Sequence, residues 1–203
     1  KMHGNKYMYI HSKEGTTLPV EISINFDVNR QEHGNTKYDD VDPANYLGSY
    51  LMVPTGKIFS EIILENNLSS ENIRAIYDYV LNGMHYGKPK DATNDDQYYS
   101  GENPKTHQKW LPDNNKYGLK EVSVDDVVSL YKESKATDGN YIFGNGNSIY
   151  ACDIGIGNCT DYHSYFMSLN RTMGIPTRFH MGFSIPSKSE GEIGGYHCWS
   201  DYY

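Results

Sequence analysis

The sequence predicts an α+β protein, with strand patterns at the two ends of the chain and helical patterns between them. Three observations carry that reading. Residues 18 to 28 alternate with period two, residues 69 to 84 repeat with the period of a helix, and the glycine-rich run at 155–157 turns into a helix followed by two further strand patterns.

In the first strand Leu18, Val20, Ile22, Ile24, Phe26 and Val28 share one face, opposite Pro19, Glu21, Ser23, Asn25 and Asp27. Tyr46 to Val53 and Ile58 to Glu65 also read as strands, with Pro54-Thr55-Gly56 as the turn between them. Residues 1–66 are therefore expected to form a β-rich N-terminal extension and residues 67–203 the core. From Ser69 the pattern becomes helical: Ile73, Ile76, Tyr77, Val80, Leu81 and Met84 follow a 3.6-residue period, with Ser69 or Ser70 as N-cap. Residues 87–118 have no periodicity and many turn formers, which predicts a long surface excursion. A second helix is expected from Ser123, where Asp126 completes a capping-box-like start. The glycine- and asparagine-rich stretch from Phe143 to the approach to Cys159 is expected to be irregular.

At Asn158-Cys159-Thr160-Asp161 a good N-cap is followed three residues later by an acidic N3 partner, so Cys159 falls at the first helical position. Tyr162, Phe166, Leu169 and Met173 make the helix's apolar face, Gly174 its C-cap, and Pro176 prevents continuation. Thr177 to Ile185 then reads as a strand and residues 186–195 as a hairpin loop. In the last strand His197, Trp199 and Asp201 share one face, and Tyr196, Cys198, Ser200 and Tyr202 the other.

Composition narrows the function. At 203 residues the chain can bury a real hydrophobic core. With 18 basic and 26 acidic residues its formal charge is −8, which disfavours nucleic acids and anionic membranes as partners. No apolar run approaches a membrane span, and the first thirty residues lack a signal-peptide pattern. The chain opens at Lys1, so export and cytoplasmic residence both stay open, as does the oligomeric state. Three cysteines make neither a disulfide framework nor a zinc spacing, and Cys152 and Cys198 are expected to be buried thiols. The Asp-rich stretches at 39–42 and 91–96 lack the glycine and terminal glutamate of a calcium loop. No metal and no cofactor is expected.

A thiol at a helix start is stabilised as thiolate by about 0.3–2 kcal/mol, too little to ionise a group whose ordinary pKa is about 8.5. A histidine partner is needed. His163 lies one turn below Cys159 on the same helix, where it would extend along the helix instead of bridging thiol and substrate, so it is read as packing or hydrogen bonding. His197 lies on a strand that can present its imidazole across the thiol.

In this order and spacing, Gly157-Asn158-Cys159-Thr160-Asp161-Tyr162-His163, Gly174-Ile175-Pro176-Thr177-Arg178-Phe179 and His197-Cys198-Trp199 resemble the bacterial transglutaminase-like superfamily. The resemblance covers about residues 69 to 203. It implies a papain-like α+β core, a helix packed on an antiparallel sheet, and a Cys-His-Asp catalytic triad with Cys159 as nucleophile and His197 as general base and acid. The implied activity is acyl transfer through a Cys159 thioester on amide or peptide bonds of a peptide or protein substrate, by hydrolysis or by transamidation. The alternative is a non-catalytic module that binds peptides or a cell-surface polymer.

In that family the aspartate lies on the strand after the histidine strand, which puts it beyond Tyr203 and leaves the core without its last strands. Asp201 is a poor substitute, because four extended residues span about 13 Å. Asp161 has a capping role, and neither it nor Asp153 matches the family's position. The Cys159 N–H is expected to bind the oxyanion together with an upstream side chain, for which Trp110, Tyr141, Asn145 and Asn147 are candidates.

Overall fold

The computed structural model describes residues 41–86, 143–185 and 191–203, with isolated positions between 9 and 29. The chain divides into two units, Lys1–Asp40 and Val41–Tyr203. The strand expected at 18–28 lies almost entirely outside the described residues, as do the excursion at 87–118 and the helix from Ser123.

The second unit is α+β. It runs through a 3-10 turn (Pro43–Tyr46), α1 (Lys57–Glu65), α2 (Ile73–Gly83), β1 (His85–Tyr86), α3 (Ser148–Ile154), β2 (Ile156–Gly157), α4 (Cys159–Thr172), β3 (Thr177–Phe183) and β4 (Tyr196–Tyr202). β1 pairs with β2 in parallel, setting Tyr86 beside Gly157. β3 and β4 form an antiparallel hairpin in which Arg178 faces Asp201, His180 faces Trp199 and Gly182 faces His197.

Two expected strands are absent. Ile58 to Glu65 is helical: Phe59 and Ile62, one turn apart, are both buried, and Asn66 closes the helix by donating its N–H to the Ile62 carbonyl. Its isoleucines favour a strand locally, but burial of that face in the core decides the conformation. The stretch from Tyr46 to Val53 does not extend either. Asp42 caps the 3-10 turn that ends at Tyr46, and Tyr50 and Val53 exchange backbone hydrogen bonds at 3.1 Å, so the chain turns back on itself. α2 starts later than expected, capped by Asn72, whose side chain accepts the Ala75 N–H at 3.1 Å. α3 occupies part of the stretch expected to be irregular, because Asn147 caps its start and Gly155, in the left-handed conformation, closes its end.

α4 is the central element, buried from Ser164 through Arg171. Tyr165, Phe166 and Leu169 meet Phe59 and Ile62 of α1, Ile76 and Val80 of α2, Ala151 of α3, Met84 and Ile175 in one core. Each large apolar side chain buried there contributes about 1.5–3 kcal/mol. Of the polar side chains inside the helix's packing, Ser168 donates to the Ser148 hydroxyl at 2.8 Å, whereas the buried Asn170 amide meets no hydrogen-bond partner among the described residues. At the far end Arg171 donates from Nε and Nη2 to the Thr177 carbonyl at 3.1 and 2.6 Å and from Nη1 to the Gly48 carbonyl at 3.0 Å. That guanidinium fastens the end of α4 to the start of β3 and to the loop before α1.

Candidate active site

The first turn of α4 is built as the spacing predicts. Oδ1 of Asn158 accepts the Thr160 N–H at 2.9 Å, and Asp161 returns Oδ2 to the Asn158 N–H at 3.0 Å, a capping box that leaves Cys159 at the first helical position. Asp161 also gathers the loop before α3, accepting the N–H of Gly144 at 2.8 Å and of Gly146 at 3.1 Å. Close approach requires glycine at two points. A Cβ on Gly157 would lie 2.5 Å from Asp161 Cβ, and one on Gly146 would lie 2.7 Å from Thr160 Cγ2, at a positive φ of 72°. Burial pushes the Asp161 carboxyl up to about 6, against the pull of its three backbone donors.

Cys159 and His197 line the same cavity, of about 590 Å³, between α2, α4 and the outer part of β4. Cys159 is nearly buried, whereas His197 is exposed. The walls are aromatic, from Tyr77, Tyr86, Phe166 and Trp199, with Arg74 at the rim. The helix dipole places partial positive charge at the Cys159 end of α4.

His163 lines this cavity as well, but its ring is engaged by the Cys198 backbone, and burial, with His197 nearby, lowers its pKa. Cys198 points the other way from His197 on β4, as the alternation predicts, and that direction is toward the start of α4. Its sulfur lies 3.5 Å from the Thr160 hydroxyl and close enough to the Cys159 thiol to feel its charge, and burial raises its pKa. Neither Cys152 nor Cys198 is in a disulfide: Cys198 is buried, and Cys152 is half-buried against the core.

Asp201 is turned to other partners. Its Oδ2 accepts from Arg178 Nη2 at 2.8 Å and lies 2.6 Å from His180 Nε2, and the His180 ring stacks on Trp199 with centroids 5.4 Å apart. Its carboxylate thus serves the neighbouring histidine of the hairpin. Asp153 falls within α3, and Asp161 is consumed by the capping box and the Gly144–Gly146 loop. Of the expected oxyanion donors, Asn147 is the N-cap of α3, accepting from Ile149 and Tyr150 at 2.9 and 3.2 Å, and Asn145 is exposed. Trp110 and Tyr141 lie outside the described residues.

One residue at the site was not singled out from the sequence. The Tyr86 hydroxyl lies close enough to Cys159 for both its backbone N–H and its thiol to act on the phenol's ionisation, and the two side chains line one cavity. Nothing in the sequence separated it from the other tyrosines, of which the chain has 19 in all. The pairing of β1 with β2 would have pointed to it, but two-residue strands leave no periodicity to read.

Among the described residues no group of His, Cys, Asp and Glu side chains could hold a metal ion, and no helix is long and apolar enough to cross a membrane. The family model described as the transglutaminase-like superfamily matches residues 94–203, just over half of the chain. No curated protein and no solved structure matches it.

Proposed function

Because the chain belongs to the transglutaminase-like superfamily, we propose that it performs thiol-dependent acyl transfer on amide or peptide bonds, with Cys159 as nucleophile and His197 as general base and acid. The observation that carries this reading is that a helix-terminal thiol and a strand-borne imidazole line one cavity. His197 takes the thiol proton, and the Cys159 sulfur adds to the carbonyl carbon. The carbonyl electrons move onto oxygen, where the Cys159 N–H stabilises the charge. Collapse expels the amine, which leaves with the proton held by His197, and a thioester remains. Water or a second amine then releases the acyl group. Hydrolysis is the proposed outcome, on peptide or protein substrates.

Alkylation by iodoacetamide across pH tests the pair. Cys159 is expected to react faster near neutrality than an ordinary thiol and to lose that advantage in His197→Ala. Undiminished reactivity in that variant would remove His197 from the reading. A second reading, a non-catalytic module that binds peptide in the same cavity, is favoured by one observation: Asp201, the acid that follows His197, is held by Arg178 and His180. Thioester formation detected by intact mass would rule that module out.

A further inference from the structure

We propose that the Tyr86 hydroxyl is the second hydrogen-bond donor to the oxyanion formed when Cys159 attacks its substrate. The assignment rests on the acyl-transfer reading and adds a residue to it.

Four observations converge on this tyrosine. The register of β1 with β2 sets Tyr86 beside Gly157, two residues before Cys159, so its backbone is fixed to the turn that delivers the thiol. Its hydroxyl lies beside the Cys159 backbone N–H, the group that an attacked carbonyl oxygen must use, and both residues line the same cavity. Its ring leans on Tyr162 with centroids 5.9 Å apart, and the Tyr162 hydroxyl donates to the Met84 carbonyl at 2.8 Å, which steadies the approach to β1. The side chain nonetheless lines the cavity and is 60% exposed, so its tip has room to move.

The geometry follows from that placement. In the unliganded protein the phenol oxygen lies beside the Cys159 N–H, next to the place an attacked carbonyl oxygen would take. An incoming carbonyl oxygen takes that N–H. The phenol O–H is then beside the new oxygen as a donor. Partial burial and the neighbouring Cys159 thiol raise the Tyr86 pKa, which keeps the proton on the phenol when negative charge develops next to it. As charge builds on oxygen, the bond from Tyr86 strengthens more than it does to the neutral carbonyl, so the stabilisation is specific to the transition state.

The test compares two reactions of the same sulfur. With p-nitrophenyl acetate, Cys159 forms a C–S bond, an oxyanion appears, and the C–O bond to nitrophenolate breaks. With iodoacetamide, sulfur displaces iodide at a saturated carbon and no oxyanion forms. Tyr86→Phe, which keeps the ring against Tyr162, is expected to slow the acylation burst by about 10²–10³-fold and to leave alkylation within a few-fold of the unaltered chain. An unchanged burst would overturn the assignment, and a faster one would make Tyr86 a plug in the oxyanion site. Equal slowing of both reactions would place its effect on the thiol and overturn the assignment too. Cys159→Ala separates this from the parent reading: a burst that survives there defeats acyl transfer at Cys159 itself. A burst lost in Cys159→Ala but intact in Tyr86→Phe defeats only the role given to Tyr86.

Discussion

Asp161 accepts the backbone N–H of Gly144 at 2.8 Å, tying the loop ahead of α3 to the first turn of the helix that carries Cys159. The same carboxylate takes Gly146 and Asn158, so three backbone donors depend on one buried side chain. In Asp161→Asn one oxygen remains, and an NH₂ group faces donors that it cannot accept from. The expected loss is about 2–4 kcal/mol, read as a fall of roughly 5–15 °C in melting temperature.

The same group imposes a pH dependence. Its carboxyl is raised from 3.8 to about 6 in the folded protein, so the stability it adds is fully present below pH 3.8 and is lost as pH rises through about 6. Acidification from pH 7 to 4 should return up to about 3 kcal/mol from this residue. His163 acts in the opposite direction. Its lowered pKa contributes stability above 6.5 that is lost on acidification, in the parent chain and in the variant alike. Urea unfolding at pH 7 and pH 5 should therefore show a gain on acidification in the unaltered chain relative to Asp161→Asn. Parallel pH profiles would mean that Asp161 is ionised alike in both states.

How much of this was legible depended on whether local chemistry and tertiary packing agree. At α4 they agree: Asn158, Asp161 and the apolar spacing of Phe166 and Leu169 name the same helix that the core requires, and the hairpin alternation set His197 and Cys198 on opposite faces. At α1 they disagree, since isoleucine-rich local preference reads as strand while Phe59 and Ile62 must reach one core face a turn apart. α3 was hidden for another reason. Asn147 and Gly155 read as turn formers, and they are the two caps of a helix only seven residues long. The proximity of Tyr86, Cys159 and Cys198 comes from three separate segments and has no local signature at all.

The Asp201 carboxylate should be dispensable for thiol reactivity and important for the hairpin. Burial alone would raise its pKa, but the bonds from Arg178 and His180 outweigh that and hold it below the ordinary carboxylate range. Its contribution is present above pH 3.8 and lost as pH falls through the folded value. Asp201→Asn is expected to cost about 1–3 kcal/mol while Cys159 alkylates at the parent rate. A drop in alkylation as large as that of His197→Ala would instead make Asp201 the residue that orients His197.

Gly182 leaves room for the indole across the hairpin. A Cβ there would lie 2.7 Å from Cη2 and 3.0 Å from Cζ3 of Trp199, whose ring stacks on His180. Gly182→Ala is expected to displace this ring, which lines the cavity with His197. In a Trp110→Phe background, which leaves Trp199 as the one tryptophan, the emission maximum should shift. KM for a peptide substrate should change more than iodoacetamide reactivity does. An unaltered spectrum would mean that the backbone yields instead of the ring.

Cys198 brings a second sulfur into the electrostatic neighbourhood of Cys159, and this predicts the response to oxidants. Both thiols are free, and a diamide-type oxidant can accept the two electrons and two protons released when their sulfurs join. Peptide mapping should find Cys159 linked to Cys198, with acylation lost and then restored by dithiothreitol. In Cys198→Ala no partner is available, so peroxide should carry Cys159 past the sulfenic acid to oxidised forms that dithiothreitol does not reverse. The comparison isolates the neighbour's effect, because Cys152 is present in both chains. Linkage of Cys159 to Cys152, or recovery by dithiothreitol in Cys198→Ala equal to that of the parent, would show that the proximity of the two sulfurs does not protect the thiol.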